Sequence, residues 1–287
     1  MSVTRPTSII LLFWLLLSLF FSCESTSPKQ QSANITSSFT ASLSLGPNVS
    51  LPRLTKVAED QLMLSYVKTG ERIDSLGYRT YDSGKWSNET LVTAGTNWFV
   101  NWADFPSVIP FNKSGDQLSA HWLQYSGEGT YDYDIRIKTS NDAGKTWSKS
   151  FVLNQDGIPA EHGFVSFVPN QDNELTAVWL DGRFTKTASD EGSNDHGHGH
   201  SGAMTLRTAN FSAEGNIIND VELDHRICDC CQTDIVSTKL GQIAVYRDRS
   251  EAEVRDIYFT HNFSGYWSTP QSVSNDNWKV KGCPVNG

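Results

Sequence analysis

Four times along this chain an apolar run closes on an aromatic side chain and is followed by a second strand-like run and a tight turn. The runs LMLSYVKTG, LSAHWLQYSG, LTAVWLDGRF and IAVYRDRS place Tyr66, Trp122, Trp179 and Tyr246 at intervals of 56, 57 and 67 residues. Apolar and polar residues alternate within them, Gly, Asp and Asn separate them, and no helical period is sustained, which predicts strands throughout. A unit of that length cannot bury its apolar face alone, so units of about four strands must pack side by side, as the blades of a β-propeller do. The expected fold is all-β, with four-stranded blades over about 50–93, 105–153, 163–224 and 231–273.

One turn is more specific. SNDAGKTW, Ser140 to Trp147, fits S-x-D-x-G-x-T-W at every fixed position. Asp142 can accept backbone N–H groups inside such a turn, Gly144 permits positive φ, and Trp147 covers the step into the next strand. YDSGKW (Tyr81 to Trp86) and HNFSGYW (His261 to Trp267) keep Gly84 with Trp86 and Gly265 with Trp267. The pattern resembles the Asp box of the bacterial neuraminidase repeat, over roughly residues 50–275. That resemblance implies an incomplete six-bladed sialidase-like propeller with about four blades present, GCPVNG opening a fifth; a four-bladed ring with a short tail is the alternative. Asp-box residues stabilise turns and are not expected to be catalytic.

The first residues read differently. After Arg5, thirteen residues from Ile9 to Phe21 are almost wholly apolar, too few for a bilayer span of about twenty and suited to the core of a secretory signal. Ser22-Cys23 resembles a bacterial lipobox, with Phe20 where Leu, Val or Ile is usual. The expectation is a signal over 1–23, a polar flexible tether over 24–45 and the partial propeller over 46–287. Lipidation at Cys23 would anchor the chain to a membrane of the bacterial cell envelope; an ordinary signal peptide is the other reading. Net charge is -9, which argues against nucleic acid as a partner.

In a four-stranded blade the turns between third and fourth strands lie at one end, while the loops between second and third strands and the links to the next blade lie at the other. That second end, the mouth, gathers the unusual residues. DHGHGH sets His196, His198 and His200 at alternate positions, and CDCC supplies Cys228, Cys230 and Cys231. Imidazoles with thiolates suit Zn or Cu; solvated histidines, disulfides from Cys228 or Cys230 to Cys283, a vicinal Cys230–Cys231 bridge, or a reactive thiol are the competing readings. Asp181 with Arg183, and Arg247, Asp248 and Arg249, end second strands at the same mouth. Such arginines can clamp the carboxylate of an acidic glycan or can tie loops together through Arg–Asp pairs.

The sialidase resemblance further implies an arginine triad, an aspartic acid and a tyrosine nucleophile paired with glutamate. Arg53 in LPRL stands near the first arginine's place without the family's flanking motif. Two functions therefore stay open, a sialidase-like glycosidase or glycan binder and a metal-binding or redox lipoprotein built on the same propeller, with a scaffold for protein partners as a third.

Overall fold

The computed structural model describes residues 42–58, 60–186, 202–280 and 282, all within one unit spanning 41–287. Cys23, Cys283 and the loop holding His196, His198 and His200 lie outside the described residues. Among those described there is no helix, and seventeen strands form four sheets.

Blade I contains β1 (Val49–Ala58), β2 (Gln61–Lys68), β3 (Asp74–Asp82), β4 (Lys85–Trp86) and β5 (Thr90–Gly95), with β4 and β5 sharing the outer edge of β3. Blade II contains β6 (Ser107–Pro110), β7 (Leu118–Tyr125), β8 (Tyr133–Ser140) and β9 (Phe151–Val152). Blade III contains β10 (His162–Pro169), β11 (Leu175–Asp181), β12 (Thr205–Phe211) and β13 (Ile217–Asp224). Blade IV contains β14 (Asp234–Ser237), β15 (Gln242–Arg247), β16 (Ile257–Asn262) and β17 (Gln271–Ser272). Each sheet is an antiparallel meander in chain order, the arrangement of propeller blades. The blade limits read from the sequence differ from these by at most three residues, at 231 against 234.

Burial explains the apolar runs. β11 is buried at every position because both its faces meet neighbouring blades, whereas the outer strand β13 is exposed over most of its length. Apolar layers fill the spaces between blades: Trp122 with Leu118 and Met63 between I and II, Trp179 with Phe111 and Phe211 between II and III, and Tyr246 with Leu206 and Ile235 between III and IV.

The two ends of the blades differ, as the strand order requires. At one end the turn after β8 rests on the turn before β7, where Ala143 N–H donates to Asp116 O at 2.8 Å. Here the backbone must turn tightly, and Gly84, Gly144, Gly215 and Gly265 in the four blades have φ of +86°, +81°, +86° and +84°, a region that favours glycine. At the other end the inter-blade links pack on the loops between second and third strands; Tyr125 N–H donates to Asn97 O at 3.0 Å, and Tyr133 pairs with Glu161 in a parallel bridge.

Candidate active site at the propeller mouth

Each link into a new blade carries an acid shortly before the inner strand: Asp104 before β6, Glu161 before β10 and Asp229 before β14. The links run to the mouth, so three residues distant in sequence are brought together. Tyr133, the first residue of β8, joins two of them. Its hydroxyl donates to Glu161 Oε1 at 3.0 Å and also reaches Asp104, and its ring stacks on Phe99 at 4.1 Å.

Asp104 is buried and accepts the Phe164 N–H at 2.8 Å. A side chain at Gly163 would collide with that carboxylate, and Phe164 itself is held at φ 51°; the start of β10 is bulged to admit the acid. Burial pushes the Asp104 carboxyl up to about 7, against the hydrogen bonds from Phe164 and Tyr133. Burial likewise pushes Glu161 up to about 8; the Tyr133 hydrogen bond opposes this, and the charges of Asp104 and Asp229 add to it. Glu161 is nevertheless partly exposed, so a group that keeps its proton at neutral pH faces the mouth. Asp229, whose charge acts on Glu161, is also partly exposed, its two oxygens held by Arg249 NH1 at 2.9 and 3.1 Å. Trp102, Tyr131 and Phe184 present aromatic faces on the same end at 65%, 54% and 52% exposure. Single exposed aromatics are ordinary; these three stand on the links and loops of one end of the blades.

Tyr133 lies opposite a glutamate as a sialidase nucleophile would, yet it is 1% exposed. Burial and the neighbouring acids raise its pKa well above the usual value, so it holds its proton and serves to orient Glu161.

Of the arginines and acids singled out in the sequence, Asp181 and Arg183 pair with each other, while Arg247, Asp248 and Arg249 find other partners. Asp181 is fully buried and saturated: Oδ1 accepts Arg183 N and Nε, and Oδ2 accepts Arg183 NH2 and Trp179 Nε1 at 2.7 and 2.9 Å. Arg183 Nε also lies 3.1 Å from Asp156, which bonds His162 Nε2 at 3.0 Å. Burial alone would lower the His162 pKa, but Asp156 and Asp181 outweigh it and raise it. A guanidinium thus stands where the Asp156–His162–Asp181 group would otherwise hold a cation. Arg249 is bound by Asp229 and Glu253. Arg247 donates to Arg255 O at 2.7 Å and stacks over Trp278 at 4.7 Å; its neighbour Asp248 pairs with Ile227 through the backbone and is pushed up to about 6, by burial first and then by the charge of Asp224. Arg53, in the inner strand of blade I, stacks over Phe105 at 5.7 Å.

For the cysteines the structure corrects two expectations. Cys230 is disulfide-bonded while Cys228 and Cys231 are free thiols, so neither a Cys228–Cys283 nor a vicinal Cys230–Cys231 bridge forms. The three sulfurs lie within 4.8 Å of one another; the disulfide takes up that of Cys230, and Arg255 NH1 sits 3.2 Å from Cys228 Sγ. The cleft at the opposite end of blade II is lined by Asn141, Asp142, Thr146 and Glu214 among others, and the Thr146 hydroxyl holds the Asp142 carboxyl down to about 2.

Asp104, Tyr133, Glu161 and Asp229 carry no local motif, and the sequence reading passed over them. One signal was available: an acid recurs in the links TNWFVNWAD, PAEHG and ICDC just ahead of an inner strand.

No protein-family profile matches this chain, and no curated protein does. Solved structures do, at low identity. The polysaccharide lyase Uly1 aligns with a TM-score of 0.50 and 9% identity over 82% of this chain and 51% of that one. The α-L-arabinofuranosidase ARB93A of Fusarium graminearum, solved with an iminosugar inhibitor, gives 0.49 and 12% over 80% and 68%. The NanB sialidase of Streptococcus pneumoniae gives 0.41 and 14% over 69% and 27%. This chain thus spans about half the length of the lyase it matches. The solved structures it aligns with include glycoside hydrolases and a sialidase.

Proposed function

We propose that this chain is a carbohydrate-active propeller that cleaves a glycosidic bond at its mouth, with Glu161 as proton donor and Asp229 as the carboxylate opposite it. Asp104 and Tyr133 position Glu161 and do not touch the substrate. The observation that carries the reading is a partly exposed glutamate raised to about 8 beside a second carboxylate. A leaving alkoxide needs a proton at neutral pH, and a carboxyl of ordinary acidity has lost its own by then. Trp102, Tyr131 and Phe184 would hold the apolar faces of sugar rings.

On the choice of sugar, a neutral glycan is favoured over the acidic one that the sialidase resemblance implies. Arg183 and Arg249 already answer carboxylates of the protein, and an acidic ligand at Glu161 would meet Asp229 and buried Asp104. An acidic glycan would have to rely on Arg53 and Arg247. Export and lipid anchoring through Cys23 are part of the proposal on the strength of residues 1–23 alone.

Glu161→Gln tests it. Hydrolysis of a glycan should fall about 10²–10⁴-fold, while an aryl glycoside whose phenolate leaves without a proton should be hydrolysed with much less loss. Asp229→Asn should slow both. In the parent, activity should decline as pH rises through about 8, and that limb should vanish in Glu161→Gln. Unchanged glycan hydrolysis by folded Glu161→Gln overturns the assignment, and a preference for sialosides over neutral aryl glycosides restores the acidic substrate.

A further inference from the structure

CDCC contains a second spacing besides its vicinal pair. Cys228 and Cys231 stand three apart across a tight turn at 229–230, which brings their sulfurs to 3.2 Å. Both are free thiols, 1% and 2% exposed. Two guanidiniums flank them. Arg255, itself 2% exposed, donates NH1 to Cys228 Sγ at 3.2 Å, and Arg247 lies beside the sulfur of Cys231. The Nε atoms of both arginines are buried without a partner among the described residues. Arg255 NH2 is also paired with Glu253 Oε2 at 2.8 Å, so Arg247 and the NH1 side of Arg255 are what favour a thiolate here.

We propose that Cys228 and Cys231 are a peroxide-reactive dithiol, in which Cys228 is oxidised by a small hydroperoxide and Cys231 resolves the product into an intramolecular disulfide. The oxidant class follows from burial: a peptide or glutathione disulfide cannot reach sulfurs this enclosed, whereas hydrogen peroxide is little larger than water. The asymmetry of the pair sets the roles. The hydrogen bond from the Cys231 thiol lowers the Cys228 pKa, aided by the Cys230 N–H and Arg255 against the effect of burial, while the bond to Cys228 and burial raise Cys231. One sulfur is the nucleophile, and the other keeps its proton until needed.

The chemistry balances without another reactant. The Cys228 thiolate attacks one peroxide oxygen; an S–O bond forms, the O–O bond breaks, and hydroxide leaves with the electron pair, so that Cys228 becomes a sulfenic acid. Cys231 then attacks the Cys228 sulfur; the S–S bond forms, the S–O bond breaks, and the departing hydroxide takes the Cys231 proton as water. In sum a thiolate, a thiol and hydrogen peroxide give a disulfide, water and hydroxide. The negative charge that sat between Arg255 and Arg247 is gone, and Arg255 keeps its ion pair with Glu253 at 2.8 Å.

The test treats the folded full chain with one equivalent of hydrogen peroxide and maps its peptides by mass spectrometry. The expected product has lost two hydrogens and carries a Cys228–Cys231 bridge. Cys231→Ser should accumulate a sulfenic acid at Cys228, trapped by dimedone, and Arg255→Met should slow the reaction about tenfold or more. Oxidised glutathione should react at least about tenfold more slowly than peroxide, as burial requires. The proposal fails if both thiols survive peroxide in folded protein, if the new bridge includes Cys230, or if oxidised glutathione keeps pace. Cys228→Ser should abolish fast oxidation; should that variant not fold, the Cys231→Ser trapping result decides alone.

Discussion

A carboxyl that keeps its proton inside the fold and loses it outside makes stability fall as pH rises. Asp104 is such a group, raised from 3.8 to about 7 by burial. Between about pH 4 and about pH 7 the folded chain binds a proton that the unfolded chain has released, so stability declines across that window and levels off above it. Asp104→Asn removes the titration and keeps an oxygen for the Phe164 N–H. The variant should match the parent near pH 4 and exceed it at pH 8 by an amount on the order of a few kcal/mol, read from denaturant melts at both values; an equal gain at both would show that ionisation is not the cause. The same change should move the basic limb of the activity profile to lower pH, because the charge of Asp104 helps hold the proton on Glu161. Stability would rise where activity narrows, as expected when a strained group is kept for chemistry.

At the scale of the turn, three blades repeat one device that the glycines alone do not explain. A serine follows the turn tryptophan as Ser87, Ser148 and Ser268, and its N–H donates to the third strand at Thr80, Thr139 and His261, at 2.8 Å each time. Its hydroxyl accepts the N–H of that same residue at 3.0, 3.0 and 3.1 Å, and donates onward to the carbonyl of the next residue. The serine thus satisfies the end of the third strand after the ladder has turned away. Ser140 and Asp142 complete the blade II version, where Asp142 holds Thr146 N and Oγ1 at 2.9 and 2.6 Å and is lowered to about 2, chiefly by the Thr146 hydroxyl. Ser148→Ala would leave the buried Thr139 N–H without its partner, at a cost of about 1–3 kcal/mol. Urea unfolding should register that loss with no change in activity, since this turn is at the far end from Glu161; a matching loss of kcat would mean that the two ends are coupled.

For the molecule as a whole, strands and blades were legible because their signals are local: period, turn glycine and tryptophan all fall within one unit. Burial of Tyr66, Trp122, Trp179 and Tyr246 at 1%, 3%, 0% and 2% follows from that repeat. The mouth was legible as a place, and CDCC as a cluster, because both follow from strand order and spacing. Asp104, Tyr133, Glu161 and Asp229 were not, since what distinguishes them is desolvation by neighbouring blades, and a lone acid in a link looks the same whether buried or solvated. Arg183 and Asp181 form the kind of Arg–Asp pair that their closeness in sequence suggested, whereas nothing local to Arg249 pointed to Asp229 as its partner. The same contacts between blades decide how the fold comes apart. Phe211 of blade III meets Phe111 and Phe151 of blade II edge-on at 5.8 and 5.9 Å and Phe167 of its own blade at 5.8 Å, with no exposure of its own. Phe211→Ala should cost about 3–5 kcal/mol. If the layers bind the blades into one cooperative unit, the midpoint should fall with a single transition seen alike by tryptophan fluorescence and far-ultraviolet circular dichroism. If blades II and III hold independently, as stacked repeats do when their interfaces weaken, the two signals should separate, and a mouth built across blade boundaries should lose activity at the first transition.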